Sequence, residues 1–160
     1  MTNNTDYTYD HKLSMGLIFK LLLIFLLFCI SISNTKADTI PVGGIIGTDQ
    51  HWISGNTYVV VNDLKVTSNL TLEIDPGVVV KIDFGRGIII DNGNLIINGE
   101  INDTVTFSPN YNFPGSSWNW KGIELKNISQ ENDVQIEYAS FYRAEIALGV
   151  ENCENIDIQY

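Results

Sequence analysis

Cysteine is scarce in this sequence, which limits the ways in which the fold can be stabilised. The 160 residues contain two cysteines, Cys29 and Cys153, and Cys29 lies in an apolar leader. A single cysteine in the remainder of the chain excludes an internal disulfide. The fold must therefore depend on its apolar core and its backbone hydrogen bonds. No cofactor is predicted, although an acidic surface is compatible with a calcium ion.

Basic residues are also few, and this excludes several classes of partner. Nine Lys and Arg residues oppose 19 Asp and Glu residues, which gives a net charge of −10. A surface with this charge repels nucleic acid and anionic membranes. It suits divalent cations, neutral glycans or solubility alone. We interpret it as the generally acidic surface of a secreted protein.

Histidine is rare as well. Of the two histidines in the sequence, only His51 follows the leader. A single histidine beside a tryptophan is more often a packed or surface residue than a ligand. We therefore predict neither a histidine-based metal site nor a histidine-based catalytic site.

The leader contains an unbroken apolar run, residues 21–30, that is shorter than the roughly 20 residues of a transmembrane helix. Lys20 precedes this run, and small residues up to Ala37 follow it, which is typical of a signal peptide. We predict a signal-peptide helix over residues 1–37, with Met15 as an alternative start. The mature protein is then secreted, extracellular or on the cell surface, without membrane contact. An uncleaved signal anchor is the alternative.

After the leader, short β-branched runs replace any helical periodicity. Corners rich in Asn, Asp, Gly and Ser separate these runs, which is typical of an all-β protein. We interpret residues 38–51 as a linker or N-terminal cap. The predicted strands are residues 57–61, 64–67, 70–74, 78–82, 87–90, 95–98, 104–108, 121–125, 133–138, 145–148 and 156–160.

Two of these strands, residues 70–74 and 78–82, flank the turn Asp75-Pro76-Gly77. Pro76 ends the first strand because it lacks an N–H group, and Gly77 supplies the free φ that redirects the chain. The first strand alternates between apolar and polar residues. The second is almost continuously apolar, as in a strand covered on both sides. Read as a hairpin, this stretch would favour an antiparallel sandwich.

Internal repeats favour a different architecture. The pattern of residues 134–138 recurs in residues 156–160, with the same order of apolar, polar and Tyr positions. Residues 68–72 similarly match residues 93–97. Repeats with a period of about 20–50 residues are typical of parallel solenoids, in which the strands of successive turns stack. Corner Asn and Asp side chains can then form hydrogen bonds along the stack.

In such a solenoid the Asp-Pro-Gly turn is a corner, so the strands on its two sides do not pair with each other. Their predicted partners lie one repeat further along the chain, near residues 95–98 and 104–108. Parallel stacking of residues 134–138 on residues 156–160 would exclude the antiparallel sandwich.

A series of short motifs resembles a known family. The motifs are TLEIDPGVVVKI (71–82), the glycine-led strand 87–90, LIINGEI (95–101), VTFSP (105–109) and WKGIEL (120–125). In this order they resemble the N-terminal part of right-handed parallel β-helix proteins of the pectate-lyase-like superfamily. The resemblance implies a right-handed, single-stranded parallel β-helix over residues 52–160. The sequence departs from the family at Asp103-Thr104, where Ala or Gly is usual.

The resemblance directs attention to acidic residues, because lyases and hydrolases of this superfamily carry clustered Asp on consecutive turns, often with Arg or Lys and a calcium ion. The candidates in this sequence are Asp75, Asp83, Asp91, Asp103, Lys81 and Arg86. They lie at or near corners, where Asp is favoured for turn chemistry. We therefore interpret them as corner residues and assign no catalytic and no metal-ligating residue.

The longest irregular segment, residues 109–120, is rich in aromatic residues. Exposed aromatic rings stack on the apolar faces of sugars, so we predict that Tyr111, Phe113 and Trp118 bind glycan. Phe113 is also a candidate for covering the edge of the coil. The motif around Trp120 predicts that this residue is buried against that edge.

Together these patterns predict an adhesin-like scaffold that contacts a polysaccharide or cell-surface glycan. The alternative is the N-terminal part of a polysaccharide lyase or glycoside hydrolase. Because the sequence ends at Tyr160 inside a predicted strand, we expect a truncated solenoid. Further turns, or self-association at this C-terminal edge, would protect its unpaired backbone groups.

Overall fold

The computed structural model describes residues 37–111 and 119–159, together with Lys20. The chain divides into two units, Met1–Thr35 and Lys36–Tyr160, and the elements given below belong to the second. The predicted signal-peptide helix falls almost entirely outside the described residues. Within the described part, no helix combines the length and the apolar character that a bilayer crossing requires.

The regular structure of residues 37–111 and 119–159 consists of thirteen β-strands, which confirms the all-β prediction. Buried and exposed residues alternate along most of them, because successive side chains of a strand point to opposite faces. The strands are β1 (Thr39–Ile45), β2 (Gln50–Trp52), β3 (Thr57–Thr67), β4 (Thr71–Ile74), β5 (Val79–Ile82), β6 (Gly87–Asp91), β7 (Asn94–Asn98), β8 (Val105–Pro109), β9 (Gly122–Lys126), β10 (Val134–Glu137), β11 (Ala139–Phe141), β12 (Leu148–Glu151) and β13 (Asp157–Gln159).

The first strands differ from the predicted boundaries. β1 and the start of β2 lie in residues 38–51, the predicted linker or cap, and β1 pairs in parallel with β3. β3 also continues through Asn62 and Asp63, where a corner was predicted. The first half of β3 pairs with β5, and its second half pairs with β6.

The strands stack in three columns, and the pairs within each column are parallel. The larger sheet has the order β11-β8-β5-β3-β6-β9-β12. We name β3-β5-β8-β11 the first column and β3-β6-β9-β12 the second column. The smaller sheet, β13-β10-β7-β4-β2, is the third column. The chain visits the three columns in turn, so neighbours within a column come from successive stretches of sequence.

The pairing predicted around the Asp-Pro-Gly turn is confirmed, since β4 pairs with β7 and β5 pairs with β8. Gly77 has a φ of 72°, the left-handed conformation for which a glycine was expected. β10 and β13 pair in parallel, with Ile136 opposite Ile158. This parallel pairing excludes the antiparallel sandwich.

The predicted register of β4 and the predicted burial of β5 are wrong. Leu72 lies opposite Leu95, and the predicted alignment had placed it opposite Ile97. A shift of two residues leaves every side chain on the same face, so the apolar alternation alone does not fix the register. In β5, Val79 and Lys81 are partly exposed and alternate with buried neighbours. This strand is therefore covered on one side and not on both.

The inward residues of the columns form one apolar core. The largest fully buried side chains are Trp52, Trp120, Phe107, Leu64, Leu72, Ile74, Ile82, Ile88, Ile90, Leu95, Ile97 and Ile123. Complete burial of an aliphatic or Phe side chain contributes about 1.5–3 kcal/mol. Aromatic rings also stack within the core, with ring centroids 4.6 Å apart for Trp52 and Tyr58 and 5.1 Å apart for Phe107 and Phe141.

Hydrogen bonds of corner side chains along the stack, which the sequence predicted, are confirmed between the second and third columns. Before the third column, Asn94 Nδ2 donates to the Asn69 carbonyl oxygen at 2.8 Å. After the second column, Asn127 Nδ2 donates to Asp91 Oδ1 at 2.8 Å, and Asn152 Nδ2 donates to Asn127 Oδ1 at 2.9 Å. These bonds join successive turns outside the apolar core.

The corner around Asp91 gives a prediction on pH. The hydrogen bond from Asn127, followed by that from Lys65, lowers the pKa of Asp91 from its ordinary value. Such a group stabilises the fold above its unfolded pKa of about 3.9, and this contribution is lost as the pH falls through the lower folded pKa. We expect Asn127→Gly to raise the pKa of Asp91 and to reduce the loss of stability on acidification. Glycine is chosen because Asn127 has a φ of 51°.

The measurement is an NMR titration of the Asp91 carboxyl carbon, together with urea unfolding at neutral pH and at a pH below the unfolded pKa. Asn152→Gly is the matched control, because Asn152 also has a positive φ, of 54°, and bonds to Asn127 but not to Asp91. An Asp91 pKa that is equal in wild type and Asn127→Gly would contradict the prediction.

Candidate functional site

Three exposed aromatic side chains lie where the strands of the first column end. Phe84, Tyr111 and Tyr142 follow β5, β8 and β11 within two residues, and they are 46%, 66% and 56% exposed. We call this set the aromatic corner. The three strands are neighbours in the sheet, so the corner takes one aromatic residue from each of three successive turns.

Backbone and side-chain hydrogen bonds fix this corner. The Asn110 N–H donates to the Ile82 carbonyl at 2.7 Å, and Asn110 Nδ2 donates to Asp83 Oδ1 at 2.9 Å. These bonds place Tyr111, the residue after Asn110, beside Phe84, the residue after Asp83. The aromatic side chains are therefore held by pairing of the turns on which they lie.

The third aromatic residue is fixed in a similar way. The Tyr142 N–H donates to the Phe107 carbonyl at 2.9 Å, and the Tyr142 carbonyl accepts a bond from Trp120 Nε1 at 2.8 Å. Trp120 itself is fully buried, which confirms the predicted burial at this position. The corner is thus anchored to the core through a tryptophan that does not itself reach the surface.

Polar groups lie next to the aromatic corner. Lys81 Nζ donates to Ser108 Oγ at 3.0 Å, in the row that also contains Tyr142. Asn119 is fully buried, and its Oδ1 accepts a hydrogen bond from Arg143 Nε. Asn119 Nδ2 has no hydrogen-bond partner among the residues that the structure describes. Exposed aromatic faces beside partly exposed polar groups such as Lys81 and Ser108 are typical of sugar-binding surfaces.

The predicted glycan residues are only partly described. Tyr111 belongs to the aromatic corner, whereas Phe113 and Trp118 lie outside the described residues. The sequence reasoning missed Phe84 and Tyr142. A signal for Phe84 was available, because its separation from Tyr111 in sequence equals that between Val80 and its strand partner Phe107.

The acidic candidates have separate hydrogen-bond partners, and two of them, Asp75 and Asp103, lie at the same corner on successive turns. Asp75 contacts His51, and Asp83 contacts Asn110. Asp91 contacts Asn127 and Lys65, and Asp103 contacts Gly77. Among the basic candidates, Lys81 bonds to Ser108, and Arg86 donates its backbone N–H to the Asp83 carbonyl. These contacts are those of corner residues that stabilise turns.

A second cluster lies on the third column and joins a histidine to two carboxylates. His51 on β2 lies directly opposite Glu73 on β4, and Asp75 follows β4 with its N–H bonded to the Trp52 carbonyl at 2.9 Å. His51 Nε2 and Asp75 Oδ1 form a hydrogen bond of 2.7 Å. One ligand atom from each of His51, Glu73 and Asp75 lies within 4.8 Å of the others.

Electrostatics in this cluster favour a positive charge. The hydrogen bond to the Asp75 carboxylate is the main cause of a raised pKa of His51; burial opposes it, and the charges of Asp75 and Glu73 add to it. The sequence reasoning missed this cluster because it counted histidines and did not combine His51 with carboxylates of the next turn. The signal was the spacing of His51 and Glu73, which equals the spacing of residues 134 and 156 in the internal repeat.

Comparison of the chain with models of known protein families, with curated proteins and with solved structures gave no match. Its function is therefore inferred from the geometry of the described residues.

Proposed function

We propose that residues 52–160 form a right-handed, single-stranded parallel β-helix similar to those of the pectate-lyase-like superfamily. In this proposal the protein is a secreted or cell-surface scaffold that binds a neutral polysaccharide along the aromatic corner. The proposed binding depends on one observation: exposed aromatic residues lie on three successive turns at one corner of the first column.

The fold part of the proposal is supported by the three columns of parallel strands. From β4 onward, each turn of the chain supplies one strand to each column, as one coil of a β-helix does. Parallel strands joined by crossover connections are right-handed in about 98% of cases, which favours the right hand here. The order of motifs from residue 71 to residue 125 supports the likeness to the superfamily.

The binding part is supported by the size and spacing of the aromatic corner. Neighbouring strands lie about 4.8 Å apart, so Phe84 and Tyr111, which share one row, are separated by one strand spacing. Tyr142 lies on the next strand, in the row of Lys81 and Ser108. A chain ligand with repeated apolar faces, such as a polysaccharide, can contact aromatic residues that lie on successive strands in this way. Lys81 and Ser108, which already bond to each other, lie beside it as polar partners for sugar hydroxyl groups.

The net charge of −10 selects among polysaccharides. An acidic surface repels a polyanion such as polygalacturonate, so a neutral chain is the better partner. The scaffold role is supported by the acidic candidates, since each of them has its own hydrogen-bond partner. Paired carboxylates across one groove would instead support glycoside hydrolysis.

Affinity electrophoresis of the full chain tests the binding, with native gels that contain xylan, mixed-linkage β-glucan or galactomannan. We expect retardation by at least one of these neutral polysaccharides and none by polygalacturonate. Tyr111→Ala and Tyr142→Ala should each weaken binding about 10-fold, because loss of one stacked ring costs about 1.4 kcal/mol. Tyr111→Phe keeps the ring and should retain binding to within about threefold.

Ile45→Ala is the matched control for loss of an exposed apolar side chain, since Ile45 is 72% exposed on β1 and lies outside the aromatic corner. Its binding should equal that of the wild type. Equal retardation of wild type and both alanine variants would overturn the aromatic corner as the binding site. Release of reducing ends from the bound polysaccharide would overturn the scaffold role and favour the lyase or hydrolase alternative.

A further inference from the structure

We propose that His51, Glu73 and Asp75 form a binding site for Zn²⁺ on the outer face of the third column. The site is separate from the aromatic corner, which lies at the end of the first column. Its three ligands come from two adjacent strands and the turn after one of them. His51 is far from the other two in sequence, and the parallel pairing of β2 with β4 brings it next to them.

The backbone holds the three positions rigidly. His51 and Glu73 are register partners in a parallel pair, so their side chains leave the same face of the sheet next to each other. Asp75 lies two residues after Glu73 and therefore faces the same side. The bond of the Asp75 N–H to the Trp52 carbonyl keeps this turn in line with β2. Sites built on paired strands hold their ligands more precisely than sites on loops.

The donor set selects the ion. One imidazole nitrogen and two carboxylates match the ligand types of zinc, which takes three protein ligands and one open position in many sites. Calcium requires six to eight oxygen ligands and gains little from an imidazole. The exposed histidine and the partly exposed carboxylates leave the fourth position of a tetrahedron accessible to water.

A hydrogen bond that orients one of the ligands and a groove beside the ligands support the site. Asn98 Nδ2 donates to Glu73 Oε1 at 3.2 Å, which orients this carboxylate from the next turn. Such outer contacts position metal ligands and raise affinity. A surface groove of about 260 Å³ lies alongside, lined by Asp49, Gln50, His51, Thr71 and Glu73. This groove gives a hydrated ion a path to His51 and Glu73.

Only small movements are needed for binding. Ligand atoms around a tetrahedral zinc ion lie about 3.3–3.6 Å from one another, given bond lengths of about 2.0–2.2 Å. The 2.7 Å contact between His51 Nε2 and Asp75 Oδ1 must widen, while other ligand atoms within the 4.8 Å cluster must approach. Zinc occupies the Nε2 position when that nitrogen has lost its proton, and Nδ1 keeps the remaining proton of the neutral ring. The bound ion then ties β2 to β4.

The test uses the full chain, treated with EDTA and dialysed. Titration calorimetry with ZnCl₂ should give one ion per chain, and added Zn²⁺ should raise the midpoint of thermal unfolding. His51→Gln, Glu73→Gln and Asp75→Asn should each weaken zinc binding more than about 100-fold, and Asn98→Ala about 10-fold. Far-UV circular dichroism of each variant without metal verifies that it is folded.

Three controls make the result specific. His11→Gln replaces the only other histidine, and Asp157→Asn replaces an exposed carboxylate of the same column; both should bind zinc as the wild type does. Co²⁺ in place of Zn²⁺ should give a tetrahedral visible spectrum without a thiolate charge-transfer band, which excludes Cys29 and Cys153. Unchanged zinc affinity in folded His51→Gln, a thiolate band, or displacement of zinc by equimolar Ca²⁺ would overturn the proposal.

Discussion

Trp120→Ala is expected to lower the free energy of unfolding by about 3–5 kcal/mol. Trp120 is fully buried and stacks with Phe107 and Phe141, with ring centroids 6.4 Å and 6.5 Å away. Alanine removes this packing, leaves a cavity, and leaves the Tyr142 carbonyl without its bond from Trp120 Nε1. Urea unfolding followed by circular dichroism measures the change.

Two further variants separate the causes. Trp120→Phe keeps an aromatic ring in the core but loses the hydrogen bond, so it should cost less than alanine. Tyr111→Ala removes an aromatic side chain that is 66% exposed, and its stability should stay within about 0.5 kcal/mol of the wild type. A Trp120→Ala cost below about 1 kcal/mol would show that the ring is not part of a close-packed core. Because Trp120 holds Tyr142, we also expect Trp120→Ala to weaken polysaccharide binding.

Gly122→Ala is the second variant with a large expected effect, a loss of about 3 kcal/mol or more in the free energy of unfolding. Gly122 begins β9 with a φ of 111°, a conformation that side-chain-bearing residues rarely adopt. A Cβ atom at this position would also overlap the carbonyl group of Ile146 on the next turn. A backbone carbonyl cannot move aside as a flexible side chain does. The strand β9 and the chain at Ile146 must therefore separate at this point.

The matched control is Gly149→Ala on the neighbouring strand β12. Its nearest contacts to an added Cβ, Glu124 Cγ and the Ile123 carbonyl oxygen, lie 3.9 Å away, which is ordinary van der Waals distance. Its stability should stay within about 0.5 kcal/mol of the wild type. Equal stability of the two alanine variants in urea unfolding would contradict the close approach of the turns at Gly122.

The stacking of turns could be predicted because it depends on repeated local chemistry. The apolar alternation of residues 134–138 and 156–160 located one pair of stacked strands, and the Asp-Pro-Gly turn located a corner. The exact register could not be predicted, since the corners differ in length. Ile88 and its partner Ile123 are further apart in sequence than Ile123 and its next partner Leu148. A prediction that assumes one constant repeat length assigns the wrong strand partners at such an insertion.

The candidate sites were harder to predict for a related reason. Both combine residues from different turns, so they become visible only when the register is known. Tyr111 was found because it lies in an aromatic segment, whereas Phe84 lies in none. A lone histidine in the sequence does not indicate a ligand, but the register partner Glu73 and the nearby Asp75 complete a ligand set around His51. Composition counts residue types, but the pairing of the strands decides which of them lie next to each other.

The stacked columns also determine how this surface changes by duplication. Each turn contacts the turn before it and the turn after it, so an added copy of one turn inserts between existing neighbours with little disturbance elsewhere. Every added turn lengthens the first column by about 4.8 Å. A gene that duplicates one turn would therefore extend the aromatic corner in fixed steps, without any change in the chemistry of its exposed rings.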